Sequence, residues 1–535
     1  MERRDFFKGM IASLAMAQTL PEIAAALSGH LANLRDDLAG STDAAAYWSR
    51  VGDEFLLRSG LMHFNCGSIG ATPRAIIEAY KSYIDVMETD PIAHAWSGYD
   101  GAQAEAVLDK ARRFVGARTR SEMLLTRNTT EAMNLIASGI RWQSGDEVLT
   151  TDHEHAGGII CWLHMQQMAA IHLRQIHLPT PVTDKAEILQ RIEDGITERT
   201  RVVSVSHVNT TTGLRMPLAD IARITRPRGI LLVADGAQAP GMLDVNVRDL
   251  GVDAYASSSH KWMLAPKGTG LLYIRGEASA QIRAMSASTG DGIQHGVYMA
   301  GGGTRNTPLM VAHGDTMDFH DIIGRQRVEA RVLQLNRYLR DRLRPLPTLV
   351  PVSPEDPELA SAMVSYAPVG TTVNRIASRL LDWGFRIKST HYNSVYGDNS
   401  IEAQDQQVIR LSTHIFNNEE QIDKLVAALA SATGAGSTAV TADEGEQPQA
   451  FEVGANYPNP FNANTQIHYE LAHGGQIEVT VYNTKGQTID VLASGWQEAG
   501  AHQLTWNAAN QATGSYFYEV CAGAKRVVRK MVLLK

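Results

Sequence analysis

Short apolar runs that alternate with helical segments constrain the fold of this 535-residue chain more than any other feature of its sequence. The runs occupy residues 201–208, 230–234, 254–257 and 270–274, and each ends in polar or glycine residues. Residues 218–225, between two of these runs, repeat their apolar positions with the period of a helix. Strands and helices that alternate in this way build parallel sheets. The sequence therefore predicts an α/β domain with a mainly parallel sheet.

The rest of the chain divides into segments of different composition, and its length suggests roughly three domains. A charged helical segment at residues 327–343 opens a mixed stretch that ends near residue 432. We therefore expect a large domain over residues 46–325 and a smaller α+β domain over residues 326–432. Residues 433–450 are rich in small and acidic residues, which predicts a flexible linker. Residues 451–535 contain period-two runs between Gly- and Asn-rich turns, which predicts an all-β sandwich.

Charge and cysteine content argue against several classes of function. The formal net charge of −8 disfavours a nucleic-acid partner, because phosphate binding needs clustered Lys and Arg. The three scattered cysteines, Cys66, Cys161 and Cys521, have neither the spacing of a disulfide framework nor that of a zinc site. No run approaches the ~18 apolar residues of a transmembrane helix.

The N-terminus has the composition of an export signal. Arg3 and Arg4 precede a weakly apolar run, and small residues at 15–17 and 24–26 are candidate cleavage sites. Residues 1–30 therefore resemble a twin-arginine signal. A basic amphipathic first helix is the alternative interpretation. The resemblance implies an exported protein that lies in the periplasm, on the cell surface or outside the cell.

Two chemically distinctive residues follow the ends of apolar runs. Lys261 comes after a run that ends in three serines and a histidine, and Asp235 closes the run at residues 230–234. Ligands bind at the strand ends of parallel sheets, and a carboxylate there can keep a pyridine nitrogen protonated. The ordinary alternatives are a solvated surface lysine and an aspartate that caps the next helix.

Hydroxyl and imidazole groups follow two earlier strands. Thr129 and Thr130 begin a helical segment, where free backbone N–H groups favour phosphate, although a plain capping box fits the same residues. His155 ends the polar turn at residues 151–155, which lacks the helical spacing of an HExxH zinc site. We therefore predict no metal, and a histidine that stacks on an aromatic cofactor.

Together and in this order, these motifs resemble the class V aminotransferase family of fold-type-I pyridoxal-phosphate enzymes over residues 61–432. That family includes cysteine desulfurases and isopenicillin N epimerase-like proteins. The resemblance implies that pyridoxal 5′-phosphate is attached to Lys261, that Asp235 pairs with its pyridine nitrogen and that His155 stacks on its ring. It also implies that Gln238 lies near the phenolic oxygen. The phosphate ligands that it implies are Thr129, Thr130, Ser258, His260 and Thr304.

Two of the matching residues bear on assembly and substrate. Thr304, in the segment at residues 303–306, resembles a threonine that reaches the phosphate from the neighbouring subunit, which implies a homodimer with shared active sites. Arg410, in the segment at residues 408–412, resembles the arginine that clamps the carboxylate of a small amino-acid-like substrate. A guanidinium group is well shaped for that bidentate contact.

The chain departs from the desulfurase pattern at two places. Desulfurases have an asparagine three residues before the glycine at position 213, where this chain has Thr210, and Asn209 lies one position away. Either residue is therefore a candidate for contact with the cofactor. Desulfurases also have a mobile-loop cysteine ahead of the clamping arginine, whereas residues 386–393 contain none. Persulfide chemistry needs a thiolate, so this departure argues against desulfurase activity.

The C-terminal module has a resemblance of its own. Residues 457–462, 481–486, 499–506 and 515–518, with the closing residues 529–535, resemble the sorting domain of type IX secretion. A carbohydrate-binding β-sandwich is the alternative. The resemblance implies that export and sorting machinery are partners of the chain.

The sequence as a whole predicts an enzyme that acts at Cα of an amino acid or amino-acid derivative. Lys261 would act as the general base, and the family resemblance favours epimerase-like chemistry. A C–S lyase and an aminotransferase on the same scaffold are the alternatives. A surface-displayed binding protein without catalytic activity is the rival from another class.

Overall fold

The computed structural model describes residues 20–41, 43–94, 103–283, 305–391, 394–397, 400–403, 407–434, 452–454, 456–471, 474–523 and 525–534. The chain folds as two units, which meet in sequence between Ser437 and Thr438. The twin-arginine motif and the junction at residues 435–451 lie outside the described residues.

Helices and strands alternate along most of the first unit. Its helices are α1 (Leu20–Ala39), α2 (Ala44–Gly52), α3 (Arg74–Thr89), α4 (Pro91–His94), α5 (Ala104–Val115), α6 (Thr129–Gly139), α7 (Ala156–Ala169), α8 (Lys185–Gly195), α9 (Leu218–Thr225), α10 (Val247–Leu250), α11 (Thr307–Ile323), α12 (Arg325–Leu343), α13 (Val373–Asp382) and α14 (Glu419–Thr433). Its strands are β1 (Met62–His63), β2 (Met123–Thr126), β3 (Glu147–Thr151), β4 (His172–Ile176), β5 (Thr200–Ser206), β6 (Leu231–Asp235), β7 (Ala254–Ser258), β8 (Gly270–Ile274), β9 (Leu349–Pro351), β10 (Met363–Pro368), β11 (Phe385–Arg386), β12 (Lys388–His391), β13 (Ser394–Gly397), β14 (Ser400–Ala403) and β15 (Gln407–Ser412).

A seven-stranded sheet with the order β2-β8-β7-β6-β5-β3-β4 forms the centre of the large domain. Neighbours from β4 to β7 pair in parallel, whereas β8 runs antiparallel to both β7 and β2. The mainly parallel sheet expected from the sequence is therefore confirmed. The apolar run at residues 270–274 is the exception, because the segment from β7 to β8 contains no helix to return the chain for parallel pairing.

The apolar runs of this sheet do not alternate with polar residues because both faces of the sheet are covered. Along β6, Leu231 and Val233 belong to one core cluster, while Leu232 and Ala234 belong to another. Successive side chains of a strand point to opposite faces, and a parallel sheet buries both. The helix expected at residues 218–225 is α9.

The smaller domain contains a four-stranded antiparallel sheet with the order β12-β15-β10-β9. Residues from α12, α13 and α14 share one apolar core with this sheet. The charged helix expected at residues 327–343 is α12, which begins two residues earlier. The structure therefore confirms the α+β fold expected for this region.

Helix α1 overlaps residues 1–30, which the sequence assigned to a twin-arginine signal, and it continues beyond them. The helix presents a stripe of apolar residues at spacings of three and four, which is the pattern of a helix that covers a core. Leu34 is fully buried, and the core cluster of the large domain includes the stripe. Residues 24–26, a candidate cleavage site, lie inside this helix.

The second unit is an all-β module. Its strands are β16 (Glu452–Val453), β17 (Asn464–Leu471), β18 (Gly475–Asn483), β19 (Thr488–Gln497), β20 (Gly500–Asn507), β21 (Gly514–Ala522) and β22 (Lys525–Leu533). They form sheets with the orders β16-β17-β20 and β19-β18-β21-β22. Both sheets contribute to one core, which includes Ile467, Trp506 and Tyr518. This arrangement is the expected sandwich.

The described helices include none that is both long enough and apolar enough to cross a membrane.

Candidate active site

A polar pocket lies at the carboxyl ends of the parallel strands. Its lining residues come from the segments that follow β3, β5, β6 and β7, and they are His155, Ser206, Val208, Thr210, Asp235, Ala237, Gln238 and Lys261. The ends of parallel strands meet at one edge of the sheet, which is where open α/β sheets bind ligands. The fold therefore brings together five of the residues singled out by the sequence.

Lys261 lies three residues beyond Ser258, the last residue of β7. Burial, reinforced by the positive charge of Arg410, lowers the pKa of Lys261 to about 8, although the charge of Asp235 opposes that shift. A larger fraction of the amine is therefore neutral near pH 7 than for a solvated lysine. A neutral amine is a nucleophile, so this side chain is suited to attack a carbonyl group.

Asp235 is the last residue of β6, and only 6% of its surface is exposed. Its Oδ1 accepts a hydrogen bond of 2.9 Å from the backbone N–H of Ala237. Its Oδ2 lies against Gly158, where a Cβ atom would come within 2.6 Å of that oxygen. Only glycine at position 158 leaves room for this carboxylate. The position of the Asp235 side chain therefore requires a glycine at that point of α7.

Glu154 is a second buried carboxyl group near this pocket, and the sequence reasoning gave it no role. Its Oε1 accepts a hydrogen bond of 2.7 Å from the hydroxyl of Thr151. Burial, with the charge of Asp235 as a further cause, raises the pKa of Glu154 to about 8. Glu154 is therefore largely protonated at neutral pH and adds little negative charge beside Asp235. Its position directly before His155 was the only sequence signal for it.

His155 is the N-cap residue of α7, and its Nδ1 accepts a hydrogen bond of 3.0 Å from the backbone N–H of Gly157. That bond assigns the proton of the neutral ring to Nε2. Burial and the charge of Lys261 lower the pKa of His155, which favours the neutral form. The ring lines the pocket just beyond the end of β3. Within the described residues, no group of three potential ligands is arranged to hold a metal ion.

Hydroxyl groups and a helix N-terminus meet at the end of β7. Ser258 Oγ accepts a hydrogen bond of 2.9 Å from the backbone N–H of Thr129 and lies 2.8 Å from the Thr129 hydroxyl. A Cβ atom at Gly157 would come within 2.7 Å of Thr130 Oγ1, which places that exposed hydroxyl beside His155. In the first turn of α6 the N–H groups of Thr129 and Glu131 bond to Ser258 and Asn128, which leaves the N–H of Thr130 and the two threonine hydroxyls to face an anion.

His260 lies beside this cluster and is partly buried. Its Nδ1 is buried without a hydrogen-bond partner among the described residues. A buried polar atom of this kind normally has a partner, and a phosphate oxygen would supply one. Thr304, the remaining candidate phosphate ligand, lies outside the described residues.

Asn209 and Thr210 have different surroundings, although the sequence left both as candidates. The amide of Asn209 donates to the backbone carbonyl of His153 and accepts from the backbone N–H groups of Thr211 (3.0 Å) and Thr212 (2.9 Å). Asn209 therefore holds the turn that Gly213 completes with a φ of +69°. Thr210, by contrast, lines the pocket.

Thr210 links Gln238 to Arg410. Its Oγ1 accepts a hydrogen bond of 2.9 Å from Gln238 Nε2 and one of 3.2 Å from Arg410 Nη1. Gln238 also donates to the carbonyl of Gly67 and accepts from the indole N–H of Trp262. Both ends of the Gln238 amide are thus engaged, and a contact with a phenolic oxygen stays a prediction.

Arg410, on β15, is a buried cation that is held by neutral groups, with 3% of its surface exposed. Nη1 donates to the carbonyl of Thr210 at 2.7 Å, and Nη2 donates to Asn65 Oδ1 at 2.9 Å and to Ser68 Oγ at 3.0 Å. Its Nε has no partner among the described residues. A buried charge without a counter-ion is costly, so the site is prepared for an anion. Asn65 and Ser68 were missed by the sequence reasoning, because they lie some 340 residues away in a turn with no distinctive motif.

The pocket fits pyridoxal phosphate in each of its chemical groups. The α6 N-terminus with Ser258, Thr129 and His260 suits a dianionic phosphate, and Asp235 is a carboxylate suited to a pyridinium nitrogen. His155 supplies a flat ring, and Lys261 supplies an amine of lowered pKa. No residue of the set conflicts with that cofactor.

Comparisons with known proteins agree with this geometry. The aminotransferase class-V family model matches residues 69–425, and a secretion system C-terminal sorting domain model matches residues 455–534. An isopenicillin N epimerase from Streptomyces clavuligerus is 30% identical over 73% of this chain and 100% of its own length. A cysteine desulfurase from Cronobacter sakazakii is 27% identical over 69% of this chain and 92% of its own length.

Solved structures with the same fold include enzymes of sulfur chemistry. A complex of the cystine C–S lyase C-DES with its product cysteine persulfide has a TM-score of 0.62 at 24% identity, covering 69% of this chain and 97% of that one. The cysteine desulfurase CsdA from Escherichia coli has a TM-score of 0.62 at 21% identity, covering 72% and 98% of the two chains. At these identities the likeness is one of fold.

Proposed function

This chain belongs to the class-V aminotransferase family, whose cofactor is pyridoxal 5′-phosphate, and we propose that it epimerises an amino acid or an amino-acid derivative at Cα. The proposal rests on one observation: the pocket contains two titratable side chains, Lys261 and His155, and a buried cation, Arg410, lies beside it. An epimerase removes a proton from one face of Cα and returns one to the other face, so it needs two proton-carrying groups. The similarity to isopenicillin N epimerase supports the same activity.

Some residues of the pocket bind the cofactor or the substrate, and others transfer protons. The bound cofactor supplies an electron-withdrawing ring that stabilises negative charge at Cα. Asp235 holds a proton on the pyridine nitrogen, and the hydroxyls of Ser258 and Thr129 with the α6 N-terminus bind the phosphate. Arg410 binds the substrate carboxylate through guanidinium N–H groups that now contact Asn65, Ser68 and Thr210.

Proton transfer is assigned to Lys261 and His155. Once its amine is free, Lys261 takes the proton from Cα, a role for which a pKa near 8 is suited. His155 carries its proton on Nε2, because Nδ1 accepts from Gly157. We assign to His155, which must first gain a second proton to become an imidazolium, the proton delivered to the opposite face of Cα, and this transfer returns the ring to its neutral form.

Desulfurase activity is not proposed, because the chain has no suitable thiolate. Residues 386–393 contain no cysteine. Cys66 does lie near the site, where its thiol donates a 3.4 Å hydrogen bond to the carbonyl of Lys261. It is fully buried, and burial raises the pKa of the Cys66 thiol. A buried thiol of raised pKa is a poor nucleophile.

Proton exchange in heavy water tests this proposal. The full chain, loaded with pyridoxal phosphate, is incubated in D₂O with L- and D-amino acids and cysteine conjugates, and proton NMR follows the Cα hydrogen. Deuterium exchange with inversion supports an epimerase. Pyruvate with a released thiol identifies a C–S lyase instead, and a keto acid with an aminated cofactor identifies an aminotransferase.

The same experiment separates the enzyme from a displayed binding protein. Lys261→Ala abolishes every turnover signal if the pocket is catalytic. The absence of both exchange and bound cofactor across the panel contradicts the proposal, and leaves a non-catalytic surface protein as the conclusion.

We further propose a homodimer with shared active sites, on the resemblance of Thr304 to a phosphate ligand from the neighbouring subunit. Mixing Lys261→Ala with Thr304→Ala protein tests it, because mixed dimers regain one active site when each subunit supplies what the other lacks. Light scattering that finds a monomer, or no regained activity, contradicts this proposal.

The C-terminal unit is a secretion sorting domain, so the chain is exported. We propose that the enzyme acts at the outer surface of the cell and that the twin-arginine motif directs the first export step. Detection of the enzyme in fractions of cells tests the surface location. The same fractionation of the variant with Arg3→Lys and Arg4→Lys tests the role of the twin-arginine motif in the first export step.

A further inference from the structure

Lys388 lies on the same face of the small-domain sheet as the carboxylate-binding arginine. Lys388 on β12 and Arg410 on β15 are direct partners in the antiparallel pairing, and Ser365 on β10 is the partner of Arg410 on its other side. Partners that lie directly opposite each other in antiparallel strands project to the same face. Lys388, Arg410 and Ser365 therefore form a row across three strands.

This row faces the turn that lines the pocket. Ser365 donates a hydrogen bond to the carbonyl of Thr211, and Arg410 donates to the carbonyl of Thr210. The hydroxyl of Thr211 donates to the carbonyl of His391 at 3.1 Å, which attaches β12 itself to the same turn. The side chain of Lys388 accordingly leaves the sheet on the side of the active site, at an exposed rim.

The electrostatic surroundings of Lys388 contain cations and no described counter-ion. Partial burial and the charge of Arg410 lower the pKa of Lys388, and its own charge contributes to the lowered pKa of His155. No ion pair joins Lys388 to a carboxylate among the described residues. Within the part of the chain that the structure describes, Arg410 is likewise held only by amide, hydroxyl and carbonyl oxygens. Two neighbouring cations without an anion repel each other, which favours a ligand that neutralises both.

We propose that Lys388 binds a second anionic group of the substrate, so that the preferred substrates are amino acids or amino-acid derivatives with two carboxylates. This inference rests on the proposed function of the pocket. Arg410, which is buried, binds the carboxylate attached to Cα. Lys388, at the edge strand and the exposed rim, binds the second carboxylate at the outer end of the substrate. Its role is to determine specificity and not to carry out catalysis.

Binding of simple acids to the loaded full-length enzyme tests this inference without turnover. Glutarate has two carboxylates and pentanoate has one, and both have five carbons. Calorimetry at low ionic strength should show that glutarate binds about five- to tenfold more tightly, the range expected for a partly exposed, charge-assisted contact. In Lys388→Met the two affinities should agree within about twofold, whereas Lys388→Arg should keep the preference.

A matched lysine controls for general surface charge. Lys424 on α14 is exposed and pairs with Glu420 on its own helix, so Lys424→Met should leave both affinities unchanged. Equal binding of the two acids by the unaltered enzyme overturns the inference. So does an equal loss of both affinities in Lys388→Met, because Lys388 then only assists the carboxylate on Arg410. An effect of Lys424→Met as large as that of Lys388→Met overturns it as well.

Failure of the two proposals can be told apart. Cα exchange without a preference for glutarate contradicts the role of Lys388 and leaves the proposed function standing. A glutarate preference that depends on Lys388, without exchange on any amino acid, supports the anion site and contradicts the epimerase.

Discussion

At the scale of single residues, burial sets the charge state of the groups in and beside the pocket. Arg410 is held by Asn65, Ser68 and Thr210, none of which is charged. Lys261 is partly neutral because burial lowers its pKa, and Glu154 is largely protonated because burial raises its pKa. Arg410 is therefore in a state that favours an anionic ligand, and the partly neutral Lys261 is in a state that favours a carbonyl carbon.

Attachment of the cofactor to the apoprotein should depend on pH with a midpoint near 8. Only the neutral amine of Lys261 attacks the cofactor carbonyl, and the pKa of about 8 means that its neutral fraction rises through that pH. The attachment rate should therefore increase from pH 6.5 to about 8.5 and then level off. Stopped-flow absorbance of the bound cofactor measures it, with Lys261→Ala as the control. A rate still rising steeply above about pH 9.5, as for a solvated lysine, contradicts the assigned pKa.

Substitution His155→Phe should separate exchange from inversion. The phenyl ring keeps a flat surface for the cofactor but has no N–H, so only the second proton transfer is lost. We expect Cα exchange within about tenfold of the unaltered enzyme, and inversion reduced by about 100-fold or more, as for loss of a general acid. Proton NMR with chiral analysis of the product measures both. His155→Ala is the control that also removes the ring, and equal losses of exchange and inversion in His155→Phe would count against this role.

At the scale of elements, helix α1 packs into the core of the large domain, although the sequence assigned its first half to a signal. Its apolar stripe contributes Ile23, Leu27, Leu31, Leu34 and Leu38 to the core of the large domain. A cleavage site within residues 24–26 would divide this buried stripe. Processing of the signal is therefore expected ahead of Ile23, the first residue of the stripe, which favours the candidate site at residues 15–17.

Leu34→Ala should destabilise the enzyme unit, since this side chain is fully buried. Loss of a buried leucine costs about 2–5 kcal/mol, depending on how far the surroundings relax. Urea unfolding followed by tryptophan fluorescence measures the change in free energy. Leu56→Ala is the control, because Leu56 is 54% exposed and its loss should cost less than about 0.5 kcal/mol. Equal effects of the two substitutions would show that α1 does not stabilise the core.

At the scale of the whole molecule, the chain combines an enzyme unit with a C-terminal sorting domain. The N-terminal unit holds the pocket and its own cores, and the C-terminal unit has a separate core shared by its two sheets. No residue of the described pocket comes from the C-terminal unit. Catalysis and sorting are therefore expected to be separable.

Ending the chain at Ser437 should leave the enzyme active and change its location. We expect kcat/KM within about twofold of the full chain and an unchanged melting temperature for the enzyme unit, because separate cores contribute separately to stability. Activity in cell fractions should move away from the surface. A large loss of activity in the purified shortened protein would mean that the sorting domain contributes to the site.

The sequence determined the chemistry of this protein more fully than its geometry. Residue types at strand ends singled out Lys261, Asp235 and His155, and the family resemblance added Arg410. The apolar runs predicted the mainly parallel sheet, because side-chain periodicity records which faces are buried. Periodicity does not record what covers a face, so the antiparallel β8 and the buried stripe of α1 required the tertiary structure.

Contacts between distant segments were likewise decided only by the fold. The sequence could not distinguish Asn209 from Thr210, whereas the turn uses the amide of Asn209 internally and turns Thr210 to the pocket. Asn65 contacts Arg410 across 345 positions, and Lys388 joins the same row through strand pairing. Such contacts depend on how sheets and turns pack in space, and the residues that flank each contact in the sequence do not indicate that packing.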